Sequence, residues 1–162
     1  MTARSLLMTA FVAGCAGCAT NPVVLRSTGV GPVTFGQTLA EAERAAGAKA
    51  AAPVADEACR NVEFESLPGV RFTVMDGVVT RADAGPGIPN ALGVQLGDTT
   101  DSVVALYPEV AMHRSGASLG GTDLVLADSG GRHAIVLQAA GNKVIAIRAG
   151  LVDSVGPPQG CP

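Results

Sequence analysis

Two histidines, His113 and His133, are the only imidazoles in the chain. A pair of histidines meeting a carboxylate would make a general base or part of a metal site. Here they stand 20 residues apart on different elements, His113 after a helix and His133 at the start of a strand, with no ligand spacing around either. Both are read as surface histidines. Glu63 and Glu65 share one face of a strand, a placement open to the two carboxylates of a glycoside hydrolase, but the same pattern is how a sheet face is kept wet. Asp98 and Asp101 flank the start of a helix, where capping and the helix dipole account for them. Asp123 and Asp128 are too sparse for a calcium loop. Ser115 to Ser118 is a polar loop and no nucleophile elbow. Gly85-Pro86-Gly87 and Gly120-Gly121 do not follow a strand and open a helix, as a phosphate cradle would. The expectation is therefore no catalytic residue, no metal and no cofactor. What remains is a set of arginines, Arg71, Arg81 and Arg148, at corresponding places on strands. Arginine is enriched at binding hot spots, so a sheet face carrying these three is the expected partner-binding surface.

The elements that must position them fall into two similar halves. Val33 to Thr38 alternates as a short strand and leads into a helix over Leu39–Ala46; Val94 to Thr99 does the same ahead of Thr100–Tyr107. Gly36 and Gly97 stand at one offset, and Thr38 and Thr99 at the same offset. Thr38 with Glu41 forms a capping box, Thr99 caps the second helix, Gly47 stops the first helix and Pro108 the second. Val62 to Glu65 and Val70 to Val74 alternate apolar and polar residues, and Asp76-Gly77 turns the chain into Val78 to Ala82. Leu124–Leu126, Ala134–Leu137 and Val144–Ile147 come after the second helix, with Gly141-Asn142 as a turn. Gly85 to Pro89 reads as the link between the halves. The expected fold class is α+β: two tandem helix-plus-antiparallel-sheet repeats, residues 31–88 and 89–162, with each sheet covered on one side by its helix.

The N-terminus adds a compartment. Arg4 supplies a positive charge, Leu6 to Val12 an apolar run, and Val12-Ala13-Gly14-Cys15 ends it. This resembles the lipobox of bacterial lipoproteins, whose cysteine is acylated after cleavage. The apolar run is too short to span a bilayer. Residues 1–14 are expected to be a signal peptide, Cys15 the lipidated residue, with Cys18 the rival site, and residues 15–30 the acylated cysteine and its tether. By that resemblance Ala16, not aspartate, after the cysteine favours the outer membrane, facing the periplasm, over the inner membrane. Two or three acyl chains would hold the protein stably where one would not. The net charge of −3 offers no basic patch for nucleic acid. In an oxidising compartment paired cysteines are expected. Cys59 precedes a strand and Cys161 ends an otherwise unanchored tail, so a Cys59–Cys161 disulfide is expected.

The twice-used aliphatic–x–aliphatic–Gly–x–Thr pattern, here Gly36-Gln37-Thr38 and Gly97-Asp98-Thr99, resembles the β-lactamase-inhibitor-protein-like repeat and the small outer-membrane lipoproteins of barrel assembly. A closer resemblance is to two-repeat lipoproteins with an Ala-Cys-Arg-x-Val-x-Phe segment, here Ala58 to Phe64, and a Gly-Cys end, here Gly160-Cys161; some of these are described as lectin-like. The resemblance implies a non-catalytic, lipid-anchored binding or scaffold module with a protein partner in the envelope, or alternatively a carbohydrate-binding one with a glycan ligand. The absence of Trp and an aromatic content of 3% weigh against aromatic sugar platforms.

Overall fold

The computed structural model describes residues 23–51, 58–115, 121–156 and 161. The chain is mostly β. Three two-residue strands, β1 (Leu25–Arg26), β2 (Gly29–Val30) and β3 (Val33–Thr34), form a small antiparallel sheet. The other strands are β4 (Ala50–Ala51), β5 (Cys59–Phe64), β6 (Val70–Met75), β7 (Val78–Ala84), β8 (Ala111–Arg114), β9 (Gly121–Ala127), β10 (His133–Ala140) and β11 (Lys143–Leu151). They build one eight-stranded antiparallel sheet in the order β4-β5-β6-β7-β11-β10-β9-β8. The helices are short: α1 (Leu39–Ala46), α2 (Thr100–Leu106) and α3 (Val152–Val155).

This corrects the expected α+β pair of helix-plus-sheet repeats. No separate sheet forms in each half, because β7 pairs with β11 from Ile147 opposite Ala84 to Gly150 opposite Arg81. A side chain at Gly150 would place its Cβ 2.4 Å from the Thr80 carbonyl oxygen, so the missing side chain is what lets these two strands approach. The apolar faces then merge, and residues of 31–88 and 89–162 share one core: Phe64, Phe72, Val79, Leu124, Leu137 and Ala149 belong to the same buried cluster. Helices of two turns are too short to be stable alone or to form a layer. Each contributes one fully buried anchor to that cluster, Ala42 from α1 and Val103 from α2.

Local signals act as their chemistry dictates. The Thr38 hydroxyl accepts from the Glu41 amide while the Glu41 carboxylate accepts from the Thr38 amide at 2.8 Å. The Thr99 hydroxyl accepts from the Ser102 amide. Asp76 and Gly77, both at positive φ (49° and 78°), make the tight turn between β6 and β7, the conformation whose twist matches a hairpin. No strand forms at Val94 to Leu96. Instead the Gln95 amide donates to Asp98, and Gly97 donates to the Val144 carbonyl. The segment expected to be a tether up to residue 30 contains core residues, since Leu25 and Val30 are fully buried. Leu25 also makes a parallel bridge to Asn90. Cys15 and the signal segment lie outside the described residues.

Candidate functional site

In an antiparallel sheet, residues directly opposite one another share a face. The register therefore defines two faces. One carries Val62, Phe72, Ala82, Ala149, Leu137 and Leu124 and packs on α1 and α2. The other is polar. Across it runs a row of alternating charge, Glu63 on β5, Arg71 on β6, Asp83 on β7 and Arg148 on β11. A second row sets Asn61 against Thr73 and Thr73 against Arg81. A third sets Gln138 against Asp123 and Asp123 against His113.

The three arginines expected to face a partner are on this one face, but two of them are not available to it. Arg81 is 2% exposed and Arg148 is 1% exposed. They are covered by the end of the chain. After β11 the backbone turns into α3, which packs back on β11, β10 and β7. Val155 sits on Ala134 and Val136 in a small apolar cluster of its own, and Ser154 reaches Met75 of β6. Cys161 is disulfide-bonded to Cys59 on β5, with Cα atoms 5.4 Å apart. The described parts of the chain end thus touch β11, β10 and β7 through α3, β6 through Ser154 and β5 through Cys161.

Beneath α3 the polar groups satisfy one another. The Arg148 guanidinium donates to the Val155 carbonyl at 2.8 Å, to Gln138 Oε1 at 2.9 Å, to Asp123 Oδ2 at 3.0 Å and to the Gly156 carbonyl at 3.3 Å. Burial pulls the Arg148 pKa below its ordinary value, and Asp123 opposes that shift. Arg81 Nε donates to Asp83 Oδ2 at 3.0 Å. These are framework groups. Arg148 ties β9, β10 and β11 to the chain end, and Arg81 is paired within β7.

The open part of the polar face lies over β5 and β6. Glu63, Arg71 and Met75 are exposed there, and Arg71 stands between Glu63 and Asp83 in register. At the opposite edge His113 is exposed on β8 beside Asp123, whose Oδ1 is buried without a hydrogen-bond partner among the described residues. A groove of about 680 Å³, lined by Arg26, Tyr107, Glu109, His113 and Asp128 among others, opens at this edge.

The two histidines do not converge. His133 pairs through Nδ1 with Asp128 Oδ2 at 2.8 Å beyond the end of β9, while His113 lies beside Asp123 within it. Asp128 also accepts the Arg132 and His133 amides through Oδ1. The His133 contact, together with these amides, holds its carboxyl below the usual value. The group therefore closes the β9–β10 turn. Comparison of the chain with protein-family models, with curated proteins and with solved structures finds no match.

Proposed function

We propose that this chain is a non-catalytic binding module of the bacterial cell envelope, anchored by acyl chains on Cys15 and offering the open part of its polar sheet face to a protein partner. The observation that carries the reading is the division of labour on that face. Arg81 and Arg148 are consumed by the framework, while Arg71, flanked by two carboxylates in register, is left outward on rigid β-structure, with exposed Met75 four residues along the same strand. A rigid strand holding an exposed arginine is suited to a protein interface, where arginine is enriched. Outer-membrane placement facing the periplasm rests on the lipobox resemblance and belongs to the same proposal.

The test is cross-linking and affinity purification from native membranes with the intact chain, its Arg71→Glu variant, and Arg44→Glu on the helix side as control. A partner recovered with the unaltered chain and the control, and lost with Arg71→Glu, supports the reading. Identical partner lists for all three remove it. Mass spectrometry of the mature N-terminus tests acylation at Cys15.

A further inference from the structure

A cavity of about 410 Å³ lies away from the polar face, between the connection after β7, the segment ahead of α2, and Ile147 of β11. Its walls are mostly apolar, with Pro86, Ile88, Pro89, Val94, Leu96 and Ile147, and two side-chain amides, Asn90 and Gln95, complete the lining. Of the two amides, that of Asn90 is engaged within the protein. Asn90 donates to the Val94 carbonyl at 2.7 Å and accepts from the Leu92 amide at 3.1 Å. Leu96, one of the lining residues, is 41% exposed. A singly exposed apolar residue needs no explanation, but one that lines an apolar cavity adds to its contact surface. The cavity offers a ligand mainly apolar contact, which suits a hydrocarbon chain. The volume falls in the range of small-molecule sites, about 300–1,000 Å³.

The course of the chain says which hydrocarbon is nearest. Leu25 donates to the Pro89 carbonyl, accepts from Ala91, and is bridged in parallel to Asn90. Pro89 and Asn90 both line the cavity, so Leu25 runs beside its wall. From Cys15 to Val23 the backbone spans at most about 29 Å. We propose that the cavity shelters one fatty acyl chain of the protein's own anchor at Cys15. The inference rests on the anchored reading above and deepens it: one acyl chain lies in the protein, and the others hold the membrane.

The experiment feeds a diazirine-bearing fatty acid to Gram-negative cells making the intact chain, irradiates them, and maps adducts by peptide mass. The expected result is an intramolecular cross-link from the Cys15 acyl group to residues 84–96 or to Ile147. It is lost in Leu96→Asp and retained in Leu106→Asp on α2. Leu96→Ser replaces Leu96→Asp if the latter melts early. Acylated Cys15 whose cross-links fall on other residues, or only on phospholipid, overturns the cavity assignment and leaves the anchor standing. An adduct at residues 84–96 with the mass of a phospholipid also overturns it. A mature chain without acylation at Cys15 overturns both readings.

Discussion

Replacing Arg148 with methionine keeps an unbranched stem and removes the guanidinium. In the structure that guanidinium is 1% exposed and serves two backbone carbonyls, one amide oxygen and the Asp123 carboxylate. Asp123 is 6% exposed and its Oδ1 already has no partner among the described residues. Without Arg148, a carboxylate remains in the interior with its compensating charge gone. Removing one member of a buried pair costs about 3–5 kcal/mol, and the orphaned Gln138 and Val155 oxygens belong to the same loss. The Arg148→Met variant is therefore expected to lose about 3–5 kcal/mol in urea unfolding with the disulfide intact and an unchanged m-value. The double variant Arg148→Met/Asp123→Leu removes both charges and is expected to recover most of that, because a buried pair and a packed apolar pair are often close in energy. Arg71→Met, on the same face but exposed, should lose less than about 1 kcal/mol. A loss below about 1 kcal/mol for Arg148→Met would refute the buried network. A double variant as unstable as the single one would show that the cost is not that of an unpaired charge.

Other parts of the fold carry three further expected outcomes. Cys59→Ser/Cys161→Ser opens a cross-link with a sequence separation of 102; it should lower the unfolding free energy by up to about 4–5 kcal/mol and speed amide exchange in α3 and β11. Gly150→Ala puts a Cβ onto the Thr80 carbonyl at 2.4 Å and should cost about 1–3 kcal/mol in thermal or urea melts, whereas Gly130→Ala, with nothing nearer than 3.7 Å, should be nearly neutral. Asp128 has its pKa below the ordinary 3.8, so its ionised form adds stability above that pH and loses it as the pH falls through the lowered value. Asp128→Asn should be less stable than the unaltered chain at neutral pH, with the gap closing in acid; a gap independent of pH would contradict the His133–Asp128 pairing.

What the residues make legible is local or covalent. Alternation in Val62 to Glu65 and Val70 to Val74, the Asp76-Gly77 turn and the Thr38 capping box each depend on neighbours within a few positions, and each forms. Cys59–Cys161 is the one long-range contact with a chemical marker. The pairing of β7 with β11 has no such marker except Gly150, a glycine inside a strand, which signals close backbone approach. With that signal unread, the two halves look self-contained and each is expected to close separately. The arginines mislead for a related reason. Alternation assigns Arg81 and Arg148 to the polar face, but a polar face is not always a wet one. The cover is α3 and the Val155 and Gly156 carbonyls, four to five residues beyond the end of β11, which alternation within the strands does not announce. The strands β1 to β3 have two residues each, too short for any period to show. In β8 all four residues are exposed, so no alternation exists to be found.

The central claim, that the open stretch of polar face around Arg71 meets a protein in the envelope, is tested most directly by site-specific photo-cross-linking in living cells. A photoreactive residue is placed at Arg71 and, in a separate chain, at exposed Ala45 on α1. The account predicts a discrete protein adduct from position 71 and none from position 45. No adduct from position 71, or the same adduct from both, would contradict it.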